Sequence, residues 1–173
     1  MIAASTGEEV TGRDADAFVA MVEPVLPAAY RLAIGMLQSR DEAEDAVQEA
    51  MYKAWRSFGR FRGSEMKPWL LTIVANQCRQ VRRSPWWSVI RSDEAVRSAP
   101  DQRPEDGVLR TDLRRALSRL SGAQRLVLVL RYYLDLSFEE MAVVLKTNPK
   151  AAKSRTYRAL ERLRLSPEVL GDD

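Results

Sequence analysis

Residues Ser137 to Arg164 read SFEEMAVVLKTNPKAAKSRTYRALERLR, and this stretch decides the fold. Ser137 followed three residues later by Glu140 is a capping box that opens a helix. Phe138, Met141, Ala142 and Leu145 then recur at helical spacing, so one face is apolar. Lys146-Thr147-Asn148 breaks the pattern. Asn148 is suited to cap a second helix, and Pro149 fits its first position, where no backbone N–H is required. Ala152, Thr156, Ala159, Leu160 and Leu163 fall on one side of that second helix. Lys150, Lys153, Ser154, Tyr157, Arg158 and Arg164 lie broadly opposite. Two short helices across a tight turn, the second cationic outward, describe a helix-turn-helix that offers a recognition helix to DNA. A basic helix alone would read as a solvated surface; the capped partner and the turn shift that reading.

Upstream, Ser121 with Gln124 is a second capping box, opening the strongly apolar LVLVLRYYLDL, which is expected to form a central helix. Before it, Leu109, Leu113, Ala116, Leu117 and Leu120 make another stripe. Residues 84–106, SPWWSVIRSDEAVRSAPDQRPED, lose helical period and carry three prolines, so they read as a flexible linker. The Trp86-Trp87 pair within it is most simply an apolar contact back onto the first domain.

The first half holds two further stretches of note. In DEAEDAVQEAMYKAW, Asp41 with Glu44 forms a box-like cap. Ala43, Ala46, Val47, Ala50, Met51, Ala54 and Trp55 make an unbroken apolar stripe, while the remaining face is acidic and polar. Residues 56–64 then read as a loop rich in Phe, Arg and Gly. A helix follows from about Lys67, with Leu70, Ile73, Val74 and Val81 inward and Arg79, Arg82 and Arg83 near its end. Further upstream, Pro24 and Pro27 should break or kink a helical region that starts near Asp16.

Charge is segregated along the chain. Residues 1–50 hold three basic and ten acidic side chains, residues 51–83 eight basic and one acidic, and residues 113–173 twelve basic and seven acidic. Alternating blocks imply more than one kind of partner, with nucleic acid suited to the basic ones. No histidine and a single cysteine, Cys78, exclude His-based triads, Cys–His nucleophiles, zinc sites and an internal disulfide. With no run of 18 apolar residues and no signal-like N-terminus, no membrane span and a cytoplasmic location are expected.

The acidic face admits three readings: a solvated helix side, a Mg²⁺ site, or a docking surface for a basic helical protein. A metal site requires carboxylates converging from separate elements, which this stretch does not supply. Phenylalanines interleaved with Arg56, Arg60, Arg62 and Lys67 either fill core gaps or bind a single strand by stacking and phosphate contact, with Asn76 placed to meet a base edge.

The order of DEAEDAVQEAMYKAW, a Phe-rich loop, PWLLTIVANQCRQVRR, a linker, LSGAQRLVLVLRYYLDLSFEEMAVVL and AAKSRTYRALERLR resembles a bacterial RNA polymerase sigma factor of the extracytoplasmic-function (ECF) subgroup. The resemblance spans roughly residues 16–165. It implies an all-α chain of two small helical domains, a sigma region 2 bundle and a sigma region 4 helix-turn-helix, joined by a flexible linker. The corresponding boundaries are a disordered lead-in over 1–13, region 2 over 14–83, the linker over 84–106, region 4 over 107–166 and a tail over 167–173. No enzymatic activity, cofactor or metal is implied.

The same resemblance assigns roles by position. Asp41, Glu42, Glu44, Asp45, Gln48, Glu49 and Tyr52 would bind core polymerase at the β′ clamp helices. Phe58, Arg60, Phe61, Arg62, Ser64, Trp69, Asn76, Arg79 and Arg83 would hold melted promoter DNA at the upstream-ten element, including a base flipped from the stack. Lys150, Lys153, Ser154, Arg155, Tyr157 and Arg158 would read the upstream thirty-five duplex. The β flap of polymerase and an anti-sigma factor are further implied partners. Many relatives carry glycine where this chain has Lys146, so either Lys146 holds a strained positive-φ turn or the turn is built differently. Two other readings compete: a stand-alone helix-turn-helix regulator, and a helical interaction protein that does not bind DNA.

Overall fold

The computed structural model describes residues 6–63, 65–84 and 111–164, with side chains described over 14–63, 65–84 and 113–164. Ser64, Trp86-Trp87, nearly all of the expected linker and the tail over 167–173 lie outside the described residues. Among the described residues all regular structure is helical.

Helix α1 (Thr6–Val22) starts inside the stretch expected to be a disordered lead-in. A polar segment without apolar period can still extend a helix whose later turns are packed, because propagation costs far less than nucleation. A 3-10 turn (Glu23–Val25) separates α1 from α2 (Leu26–Leu37). Pro24 and Pro27 each fall in the first turn of a new segment, where a missing N–H breaks no hydrogen bond. By length and composition alone the run Asp14–Leu37 is apolar enough to cross a membrane, although Asp16, Glu23 and Arg31 interrupt it, so no run of 18 apolar residues exists. The 3-10 turn interrupts it, however, and Ala29, Leu32, Ala33, Met36 and Leu37 are buried in the protein core.

Helix α3 (Arg40–Phe58) is capped by Ser39, whose Oγ accepts from the Glu42 N–H at 3.4 Å. The cap expected at Asp41 is therefore two residues earlier, because Ser39 has the extended backbone a cap needs and Asp41 is already helical. Ala43, Ala46, Val47, Ala50 and Ala54 are buried as the stripe predicts; Met51 is half-buried and Trp55 is exposed. The small alanines allow close approach to α2 and to α4 (Met66–Arg83), and α2, α3 and α4 pack mutually. The loop between α3 and α4 is shorter than expected, since α3 continues to Phe58.

The second unit contains α5 (Thr111–Ser118), α6 (Gly122–Leu128), a π-turn (Val129–Tyr133), α7 (Phe138–Leu145) and α8 (Pro149–Arg164). Both capping boxes form. Ser121 accepts from Gln124 N–H at 3.2 Å and Ser137 from Glu140 N–H at 3.1 Å, and in each case the N3 side chain accepts from the cap N–H in return. The apolar run after Ser121 is not one regular helix. It widens into the π-turn, where Leu134 N–H donates to Val129 O at 3.0 Å, and Asp135 then takes a positive φ of 53°. Helices α7 and α8 pack on each other, and α8 also packs on α6.

The two units share one continuous apolar core. Helix α4 packs against α7, while α2 packs against α6 and the π-turn. Arg125, fully buried, donates from Nε to Leu117 O at 2.9 Å within its own unit and from Nη1 to Met36 O at 2.8 Å in the other. Gln38 and Arg114 exchange a reciprocal pair across the same seam, each contact 3.0 Å. Gly35 lies so close to Val129 that a Cβ there would sit 2.9 Å from both valine methyl carbons. None of these seam residues stood out in the sequence.

Candidate nucleic-acid interface

The helix-turn-helix forms as its punctuation dictates. Lys146 ends α7 in the left-handed region, φ 52°, and its N–H satisfies carbonyls of the last turn. Glycine would hold this turn with less strain, so the lysine is a local cost. Asn148 Oδ1 accepts from Ala151 N–H at 2.8 Å and starts α8. Ala152, Thr156 and Ala159 are buried, and the Thr156 hydroxyl donates to Ala152 O at 2.8 Å, so this polar group is satisfied inside the core.

All six expected duplex-reading residues, Lys150, Lys153, Ser154, Arg155, Tyr157 and Arg158, are exposed on one face of α8. Arg158 reaches back to Ser154, with Nη2 donating to Oγ at 3.3 Å, and the Lys153 ammonium lies 5.9 Å from the Tyr157 ring centre. Four exposed cations, Lys150, Lys153, Arg155 and Arg158, lie along α8 with exposed Glu161 one turn beyond, and the first two stand beside the positive end of the helix dipole, an arrangement suited to phosphates.

The acidic face of α3 also forms. Asp41, Glu44, Asp45, Gln48, Glu49 and Tyr52 are exposed, and Glu42 is half-buried at the first turn. Glu44 pairs with Arg40 at 3.0 Å, and Glu49 lies 3.9 Å from Lys53. Such exposed pairs are weak, so the face keeps its negative field. Among the described residues no three His, Cys, Asp or Glu side chains converge as a metal site.

At the α3–α4 corner the phenylalanines follow the core-filling alternative of the sequence reading. Phe58 and Phe61 do not stand free as stacking faces. Phe18, Trp55, Phe58, Phe61 and Trp69 form a continuous aromatic ladder, with ring centres 4.8 to 6.5 Å apart between neighbours. Phe58, Phe61 and Trp69 are half-buried and pack on the core. Phe18, 40 positions away from Phe58, holds the ladder from α1 by edge contacts, a partner that spacing within the loop could not reveal. Arg62 donates to Gly59 O at 2.8 Å and Phe61 O at 3.0 Å, so it stitches the loop as well as offering charge. Arg60 and Arg83 are exposed.

On α4, exposed Asn76 accepts from Arg79 Nη1 at 3.1 Å. Burial, and then the neighbouring charge of Arg83, lower the Arg79 pKa from its ordinary value. An anion at this point would relieve both effects. Lys53 fixes the geometry of the corner. Its ammonium on α3 donates to Gln77 Oε1 at 2.5 Å and Gln80 Oε1 at 3.1 Å on α4. Nothing near Lys53 in the chain marks its role, which is detectable only once α3 and α4 are seen to lie side by side.

Three surfaces thus follow one another along the chain: an acidic helix face, an aromatic and cationic corner, and a cationic recognition helix. Known proteins match that order. Residues 21–88 match the family Sigma-70 region 2, and residues 110–163 match Sigma-70, region 4. The RNA polymerase sigma factor SigV of Bacillus subtilis is 32% identical over 137 residues, covering 79% of this chain and 82% of that protein. The ECF RNA polymerase sigma factor SigL of Mycobacterium tuberculosis is 30% identical over 149 residues, 82% of this chain and 84% of its own.

The chain belongs to the ECF sigma factors of bacterial RNA polymerase. Among solved structures, the sigma factor RpoE in complex with the anti-sigma factor NepR from Bartonella quintana matches with a TM-score of 0.70 and 33% identity, covering 88% of this chain and 96% of that one. As an ECF sigma factor it directs RNA polymerase to promoters. The acidic face and α4 corner lie within the region 2 match, and α7–α8 within the region 4 match.

Proposed function

We propose that this ECF sigma factor acts through its three surfaces in chain order. The exposed acid face of α3 (Asp41, Glu42, Glu44, Asp45, Gln48, Glu49, Tyr52) docks on the β′ clamp helices of core polymerase, where complementary charge sets rate and register. The α4 corner then holds the melted non-template strand of the upstream-ten element. Arg60, Arg62, Arg79 and Arg83 meet phosphates, Asn76 meets a base edge, and the aromatic ladder is a stiff wall whose half-exposed rims receive unstacked bases. Ser64 belongs to the same loop by sequence. Capturing a flipped base costs a few kcal/mol of unstacking, offset by these contacts. Region 4 lays α8 in the major groove of the upstream thirty-five element and meets the β flap. An anti-sigma factor restrains the protein in the cytoplasm, and the chain performs no covalent chemistry itself.

The observation that carries this reading is the separation of the acidic face from both cationic surfaces on rigid helices. Glu49→Lys is the test. Polymerase affinity is expected to fall while duplex binding by the second unit is unchanged. Equal polymerase affinity for mutant and parent would remove α3 from the docking role.

A further inference from the structure

We propose that Lys53 sets the base preference of the exposed face of α4, and that this face selects the keto bases thymine and guanine over the amino bases adenine and cytosine. The inference rests on the single-strand role given to α4 above and names the bases that role would favour.

A carboxamide carries an acceptor oxygen on one side and an N–H2 donor on the other, whereas an ammonium or a guanidinium only donates. A cation set against an amide therefore fixes which way round the amide lies. Three amides of α4 are held like this. The Lys53 ammonium donates to Gln77 Oε1 at 2.5 Å and to Gln80 Oε1 at 3.1 Å, and Arg79 Nη1 donates to Asn76 Oδ1 at 3.1 Å. Each oxygen faces its cation, so the side of each amide turned away from that cation is N–H2. Among the described residues nothing accepts from these three N–H2 groups. Asn76, Arg79, Gln80 and Arg83 recur at helical spacing and share one face. Asn76, Gln80 and Arg83 are exposed there, and Gln77 is half-buried at the edge towards α3. Helix α4 holds no acidic side chain. The face thus offers a strand N–H donors and positive charge, and no carboxylate.

Base edges answer such a face unequally. Guanine presents two acceptors, N7 and O6, and thymine presents O4 without an amino group, while adenine and cytosine present amino groups at N6 and N4. An amino group set against N–H2 donors meets no partner and loses its bond to water. A base edge matched by fixed partners is favoured roughly 10- to 100-fold over a mismatched one. Lys53 touches no base in this scheme. It is a positioning residue that acts through Gln77 and Gln80, and its other neighbour, Glu49 at 3.9 Å, makes only a weak exposed pair with it. Without the ammonium, both glutamine amides are free to turn and present oxygen to an amino base.

The test uses two single strands of about twelve nucleotides, one alternating thymine and guanine, the other cytosine and adenine. Each holds purines and pyrimidines in equal share, which keeps the stacking contribution similar. Binding to the full chain is followed by fluorescence anisotropy for the parent, Lys53→Arg, Lys53→Met and Gln80→Glu, with far-UV circular dichroism to confirm that each is folded. The parent is expected to prefer the keto strand about tenfold. Lys53→Arg keeps the donors and should retain the preference. Lys53→Met should cut it to about threefold or less, the remainder resting on Asn76. Gln80→Glu puts an acceptor where the donor was and should lower the ratio with Lys53 in place. Loss of the Lys53 charge alone would weaken both strands alike and leave the ratio unmoved, so the ratio separates positioning from charge. Equal binding of the two strands by the parent, or binding of neither, overturns the inference. An unchanged ratio in folded Lys53→Met removes Lys53 from it. A keto preference in a parent that drives no transcription with purified core polymerase overturns the initiation role and leaves the base preference standing. Transcription by a parent without that preference overturns the inference alone.

Discussion

The two cationic surfaces of this sigma factor are built by opposite means. On α8 the cations are exposed, and the helix behind them rests on small buried residues, Ala152, Thr156 and Ala159. Its charge is available before DNA arrives. On the α4 corner the charge is partly spent on the fold: Arg62 binds loop carbonyls, Arg79 binds Asn76, and the aromatics pack on one another. A regular duplex presents evenly spaced phosphates, and a preformed helix suffices to meet them. A melted strand has no fixed shape, so under the proposed role the α4 corner must supply the rigidity.

The largest expected effect lies behind the α4 surface. Burial pushes the Cys78 thiol up to about 12, against a partial lowering by the Arg82 charge. Alkylation at pH 8 should be at least about a thousandfold slower than for an exposed cysteine and quicken about tenfold per pH unit, because only the thiolate reacts. The same shift means that Cys78's contribution to stability is complete below pH 9 and is lost as pH rises toward 12. Rapid labelling at pH 8 would show that the α4 packing opens readily.

Next in size is removal of charge from α8. Changing Lys153, Arg155 and Arg158 together to alanine should weaken duplex binding by roughly 10- to 100-fold and lower the slope of log affinity against log salt by about 3. Fluorescence anisotropy across a salt series reads both. An unchanged slope would show that the cations do not meet phosphates.

The aromatic contrast is smaller and is measured by urea unfolding. Phe58→Ala should cost about 2–4 kcal/mol by leaving a gap in the ladder, whereas exposed Tyr157→Ala should stay within about 0.5 kcal/mol. Similar costs would erase the distinction between a structural and a free aromatic. Smaller again, Ser137→Ala should cost about 1 kcal/mol through loss of its cap. Lys146→Gly should gain about 0.5–1 kcal/mol by relieving the left-handed turn.

Legibility in the sequence followed the range of the interactions. Ser121, Ser137, Asn148 and Pro149 act on neighbours within four residues, so both capping boxes and the helix-turn-helix were readable from spacing. The α8 face was readable for the same reason. Phe58 and Phe61 stay open between core filling and stacking in the sequence because their partner Phe18 lies far back in the chain. The π-turn escaped because LVLVLRYYLDL has a strong apolar signal and no mark of the widened bonding. Arg125 escaped because an arginine in an apolar run has no meaning until the carbonyl ends of α2 and α5 are brought to it.

The most direct measurement is transcription in vitro with purified bacterial core polymerase, with and without this protein, on a library of random upstream sequences. Transcripts that depend on the protein, and whose templates share two upstream motifs about one linker length apart, are the expected result. No dependent transcripts, alongside tight duplex binding by the protein alone, would contradict the account and favour a stand-alone helix-turn-helix regulator.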